Sequence, residues 1–92
     1  MKIEFSGEYT SMYAALVADD DAMRARILEH VIWFRRNTDD TRLANHPLHK
    51  NMKGYWAFSV TDDIRIVYRW MGKTTVRFLA IGRHETVYKK SS

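Results

Sequence analysis

The sequence predicts an α+β domain in which an antiparallel sheet carries an N-terminal helical hairpin on one face, in the order β-α-α-β-β-β. Three observations carry this reading: a short alternating segment near the N-terminus, two stretches of helical period separated by a run of aspartates, and three further strand-like segments joined by hairpin-length connections. Ninety-two residues supply one core and not two, so 1–92 is read as a single domain.

KIEF at 2–5 puts Ile3 and Phe5 on one side and Lys2 and Glu4 on the other, the pattern of a short strand. Over 8–18, Tyr9, Met12, Tyr13, Leu16 and Val17 recur at i, i+3, i+4, i+7 and i+8, one face of an amphipathic helix. Asp19, Asp20 and Asp21 follow, and acidic residues favour the first turn of a helix, where backbone N–H groups lack partners. They predict a second helix from about Asp20 to Arg36. Its buried stripe is Met23, Ile27, Val31 and Phe34, widened by Leu28 and Ile32. A connection this short makes the two helices an antiparallel hairpin.

Residues 37–54 are polar, aperiodic and contain the single proline, so they read as a loop. YWAFSV (55–60) sets Trp56, Phe58 and Val60 against Tyr55, Ala57 and Ser59. IRIVYRW (64–70) sets Ile64, Ile66, Tyr68 and Trp70 against Arg65, Val67 and Arg69. TTVRFLAIG (74–82) is apolar on both faces apart from Arg77, as suits a central strand. The connections TDD and MGK have hairpin length and turn chemistry.

Composition narrows the function classes. Hydrophobic residues make up 46% and charged residues 28%, which excludes a disordered chain. The absence of cysteine excludes disulfides and thiolate zinc sites. With no apolar leader and no segment near the roughly 20 apolar residues of a membrane span, the expectation is a soluble, cytoplasmic domain without membrane association. Charge is uneven. Residues 1–40 hold five Lys/Arg against eight Asp/Glu, a net −3, and residues 41–92 hold ten against three, a net +7. A basic half on a small domain is the footprint of a phosphate-binding surface or of one that meets an acidic protein. If the helices cover the Trp56–Phe58 face, the opposite face presents Tyr55, Ser59, Arg65, Arg69 and Arg77, with His84 just beyond its last strand. Arginine binds phosphate bidentately and stacks on bases, so this face reads as an RNA cradle.

Four short motifs carry a family resemblance: HPL at 46–48, KGYW at 53–56, D-x-R-I-V-Y at 63–68 and G-x-H-x-x-V-Y at 82–88. In this order and spacing, with the predicted element order, the chain resembles the RelE/ParE toxin superfamily, and within it the mRNA interferases of the YafQ and YoeB kind. The resemblance implies a bacterial type II toxin, restrained by a cognate antitoxin, that enters the ribosomal A site and cuts the mRNA there without a metal or cofactor. The implied chemistry is attack of a 2′-hydroxyl on the adjacent phosphate. It needs a base, a cation for the charge growing on phosphorus, and an acid for the departing 5′-oxygen.

His84 matches the C-terminal histidine of the YafQ pattern, and an imidazole exchanges protons near neutral pH. His46 matches the histidine of the HPL motif and is the second acid–base candidate; which of the two is the base stays open. Arg65 matches the arginine with which YoeB- and RelE-like toxins hold the scissile phosphate. Asp63 matches a catalytic aspartate of the YafQ type and equally suits a TDD turn. Tyr88 matches a C-terminal aromatic that either stacks on a base or packs. Lys50, Lys53, Arg69, Arg77 and Arg83 are expected to contact RNA.

The chain also departs from each pattern. Ser59 stands where YafQ-like toxins carry another histidine, and no glutamate between Glu29 and Glu85 supplies the loop carboxylate of YoeB-like toxins. His46-Pro-Leu-His49 is a poor metal motif, because the proline works against helical i, i+3 presentation. Two alternatives remain: a ParE-like gyrase inhibitor without nuclease activity, and a non-catalytic binder of RNA or antitoxin. The joint presence of His46, Arg65 and His84 favours the nuclease.

Overall fold

The computed structural model describes residues 1–49 and 52–89, Tyr88 and Lys89 through their backbone alone. The elements are β1 (Lys2–Phe5), α1 (Gly7–Val17), α2 (Asp21–Arg36), a 3-10 turn (Thr41–Leu43), β2 (His46–Pro47), β3 (Trp56–Ser59), β4 (Ile64–Trp70), β5 (Thr75–Arg83) and α3 (His84–Lys89). Both long helices start at side-chain caps. Ser6 Oγ accepts from the Tyr9 N–H at 3.0 Å, and Asp20 Oδ1 accepts from the Met23 N–H at 2.9 Å. Each cap satisfies an otherwise orphaned donor, worth about 1 kcal/mol.

The sheet order is β1-β5-β4-β3-β2. β2 to β5 pair antiparallel, but β1 lies parallel to β5, with Ile3 opposite Val76 and Phe5 opposite Phe78, so the sheet is mixed where the sequence predicts an antiparallel one. The intervening elements return the chain so that β5 runs alongside β1 in the same sense, and no local sequence feature encodes that pairing. Past Phe78 the start of α1 replaces β1 along the edge of β5: the Ser6 N–H donates to the Phe78 carbonyl at 3.0 Å and Ser6 Oγ to the Leu79 carbonyl at 3.1 Å.

The core lies between the helices and the face bearing Phe58, Ile64, Ile66, Tyr68, Val76 and Phe78. Phe34 is its centre, stacked on Phe58 at 4.6 Å and edge-on to Tyr68 at 4.9 Å and Phe78 at 5.8 Å. The sheet-facing arc of α2 runs through Ile27, His30 and Phe34. Leu28 and Ile32, read as widening that arc, are exposed instead. Leu28 rims an apolar groove of about 310 Å³ between α1 and α2, with Phe5, Tyr9, Tyr13 and Val31. His30 is buried, with Nδ1 2.8 Å from the Arg26 carbonyl and its ring 4.5 Å from that of Trp33. Trp70, read as inward, is partly exposed at the end of β4.

The opposite sheet face has a second, smaller core. Ala57, Val67 and Ala80 form a row across β3, β4 and β5, and Val87 of α3 and Met52 close over it. A bulge beside Val67 adds Leu79 to β5, so Leu79 lies between the pairs Val67–Ala80 and Tyr68–Phe78. α3 is absent from the sequence reading, which ends β5 at Gly82 and places nothing after it. No helix among the described residues is long and apolar enough to cross a membrane.

Candidate functional site

Arg65 lies in β4 between Ser59 of β3 and Gly82 of β5, on the face away from the long helices. It is half-buried, and Nη1 donates to the Thr61 carbonyl at 2.7 Å. One such bond leaves a guanidinium four further N–H groups with which to bind an anion. The Thr61 hydroxyl in turn accepts the N–H groups of Asp63 at 3.1 Å and Ile64 at 2.9 Å, which sets the turn that delivers Arg65.

Asp63 and His84 meet across the β4–β5 end. The His84 N–H donates to the Asp63 carbonyl at 2.9 Å, and Arg83 Nη1 lies 3.0 Å from Asp63 Oδ2. This ion pair is exposed, and such pairs contribute at most about 1 kcal/mol. Asp63, Arg65, Arg83 and His84 therefore converge at one end of the sheet. His84 is exposed at the start of α3, a short helix docked by Val87.

His46 stands at the sheet edge in β2, opposite Ala57 and so on the same face as Val67 and Arg65. Two strand intervals, roughly 10 Å, separate β2 from β4. Pro47 is tolerated beside it because an edge strand has no obligation to donate from that position. His46 Nδ1 is 2.9 Å from the Ala44 carbonyl. A carbonyl only accepts, so Nδ1 is the donor in this contact, and of the two neutral tautomers it selects the one whose lone pair is at Nε2.

The remaining basic residues spread out. Arg69 and Arg77 are directly opposite each other, with the Arg69 guanidinium 5.7 Å from the Tyr55 ring centroid. They lie on the same face as Arg65, but beyond the row that Val87 covers. The expected continuous cradle is thus split by α3 into an Arg65–His84 end and an Arg69–Arg77 end. Lys53 is exposed in the turn before β3, where Gly54 takes a φ of +93° that side chains disfavour. Lys50 and the Tyr88 side chain lie outside the described residues. Among the described residues, no three His, Cys, Asp or Glu side chains cluster to hold a metal ion.

Three residues at this site escape sequence reasoning: Thr61, which holds Arg65, and Ala44 and Asn45, which shape the approach to His46. The only signal for Asn45 is its adjacency to the HPL motif.

No family model matches the sequence, and no curated protein matches it. Solved structures do. A YoeB/ParE toxin from Agrobacterium tumefaciens superposes with a TM-score of 0.79 at 24% identity, covering 91% of this chain and 99% of that one. YafQ from E. coli superposes at 0.70 and 23%, covering 95% and 97%. YoeB in its heterotetrameric toxin–antitoxin complex with YefM from Staphylococcus aureus superposes at 0.74 and 21%, covering 91% and 97%. At these identities the likeness is one of fold, and it extends over nearly the whole of each chain. The protein has the RelE/ParE-like fold of the YoeB and YafQ toxins.

Proposed function

We propose that this protein is the toxin of a bacterial type II toxin–antitoxin system and cleaves mRNA in the ribosomal A site. The observation that supports the reading is the placement of Arg65: a half-buried, tethered guanidinium on the sheet face that His46 shares, with His84 starting α3 at the adjoining strand end, where its N–H meets the Asp63 carbonyl. His46 Nε2 takes the proton of the 2′-hydroxyl as that oxygen bonds to phosphorus. Arg65 holds the non-bridging oxygens while their charge grows, and His84 gives a proton to the 5′-oxygen as its bond to phosphorus breaks. The products are a 2′,3′-cyclic phosphate and a 5′-hydroxyl. Lys53 adds positive potential along the RNA path, and Arg69 and Arg77 extend it past α3, whereas Arg83, opposite Ile64 in register and paired with Asp63, lies off that face.

A cognate antitoxin follows from the same reading, since solved relatives of this fold are complexes with YefM and DinJ. The exposed Phe5 and Leu28 at the α1–α2 groove, with the basic sheet face, suit an acidic segment that folds on binding. The test is primer extension on mRNA in a reconstituted translation reaction. Cuts that require ribosomes support the proposal. Intact mRNA together with growth arrest on induction would redirect the search to gyrase or another target.

A further inference from the structure

We propose that the Tyr68 hydroxyl, acting through Asn45, positions His46 in the tautomer that leaves Nε2 as the proton acceptor. This inference rests on the reading of His46 as the base, but its first test reads the imidazole itself.

The segment leading to His46 is pinned at successive points. Arg42 donates from Nε and Nη2 to the two Asp40 carboxylate oxygens at 3.0 and 2.7 Å, and its guanidinium carbon sits 3.6 Å from the Trp33 ring centroid. Leu43 is wholly buried. Ala44 then takes φ 49° and ψ 42°, the left-handed region that a residue with a Cβ does not choose unaided. Its surroundings hold it there: its own N–H meets the Thr41 carbonyl at 3.3 Å as the cap of the 3-10 turn, Leu43 lies in the core on one side, and on the other Asn45 Oδ1 accepts from the Tyr68 hydroxyl at 2.9 Å. The consequence appears at the next residue, where the turned Ala44 carbonyl meets His46 Nδ1 at 2.9 Å.

Tyr68 is an unusually fixed anchor. Its ring is fully buried against Phe34 and packs with Phe58 and Phe78, so its hydroxyl moves only if the core moves. Burial pushes its phenol up to about 12, so the hydroxyl remains a proton donor throughout the neutral range. A solvated neutral histidine prefers its proton on Nε2. The Ala44 carbonyl reverses that preference, and a base whose lone pair faced the Ala44 carbonyl could not reach the 2′-hydroxyl. Asn45 and Tyr68 are thus positioning residues, coupled to the reaction only through the orientation of His46.

The experiment is nitrogen-15 NMR of the histidine rings in the intact protein, at a pH where His46 is neutral, with His46→Gln identifying its signals. Wild type is expected to carry the His46 proton on Nδ1. Asn45→Ala and Tyr68→Phe shift the ring toward the Nε2-protonated form, and Asn45→Asp, which still accepts from the phenol, retains the wild-type pattern. Tyr68→Phe keeps the core ring, and amide dispersion verifies that each variant is folded. In cleavage, Tyr68→Phe lowers kcat by roughly 10–100-fold, part of the about 10²–10⁴-fold that a positioned base supplies, while KM stays within about twofold. An Nε2-protonated His46 in wild type, or an unchanged tautomer in both Asn45→Ala and Tyr68→Phe, overturns the proposal. Absence of cleavage by wild type would remove the nuclease reading alone, and the NMR result would still decide the positioning.

Discussion

Arg65 donates to the carbonyl of Thr61 at 2.7 Å, four residues earlier in the same hairpin, so the guanidinium is held in place before any substrate arrives. Preorganised charge is the efficient way to stabilise a phosphorane-like transition state, because no reorganisation is needed during the reaction. Lysine cannot reproduce the planar fork that grips both carbonyl and phosphate. Arg65→Lys is therefore expected to lower kcat by about 10²–10³-fold, the scale of losing one transition-state donor. Single-turnover cleavage measures it, and near wild-type rates in Arg65→Lys would mean that Arg65 does not bind the scissile phosphate.

The docking of α3 depends on Val87, buried to 1% against the Val67–Ala80 row. Val87→Ala removes contact between a six-residue helix and the sheet, a loss of roughly 1–3 kcal/mol for a buried truncation of this size. So short a helix has little stability of its own. Its amides should exchange much faster in the variant while those of β4 and β5 keep their protection, and His84-dependent cleavage should fall. Hydrogen exchange checks this; equal protection of α3 in both proteins would refute it.

Phe34 organises the main core, fully buried and in ring contact with Phe58, Tyr68 and Phe78. Phe34→Ala should cost about 3–5 kcal/mol, a large share of the roughly 5–15 kcal/mol that holds a domain of this kind together. Urea unfolding should show a much lower midpoint. A shift below 1 kcal/mol would mean that the helices do not pack on the sheet through this residue.

Asp40 supplies the pH dependence. Hydrogen bonds from the Arg42 side chain, then from its backbone N–H, hold the Asp40 carboxyl at about 2, against an ordinary 3.8. The folded state therefore binds this proton less readily than the unfolded chain. The contribution is present above the unfolded value and is lost as pH falls from near 3.8 toward 2. Asp40→Asn should flatten the fall in stability across that window. Urea midpoints measured at several acidic pH values test it, and parallel pH profiles for the two proteins would contradict it.

The sequence made the regular elements legible where their side-chain periods were long enough to see. The alternation through 64–70 located β4 and, with it, the outward placement of Arg65. Length hid the rest: β2 has two residues, and α3 has one described buried apolar residue, Val87. Pairing of β1 with β5 joins segments more than seventy residues apart, and no local pattern records such a choice. The site divided similarly. Motif resemblance indicated His46, Arg65 and His84, but alanine at 44 gives no hint of a left-handed turn, because that conformation belongs to its place as the cap of the 3-10 turn, where its N–H meets the Thr41 carbonyl, and not to its own preference. Ser59 proves to lie opposite Arg65 in register, so the position where YafQ-like toxins have a histidine here borders the arginine with a hydroxyl.

An mRNA programmed on the ribosome with a single 2′-deoxy substitution at the cleaved position tests whether the 2′-hydroxyl is the attacking group. Wild type is expected to cut the all-ribose message to a 2′,3′-cyclic phosphate and a 5′-hydroxyl, and to leave the substituted message intact. Cleavage of the 2′-deoxy message at the same bond would contradict this expectation, because the attacking group would then not be the 2′-hydroxyl that His46 is proposed to activate.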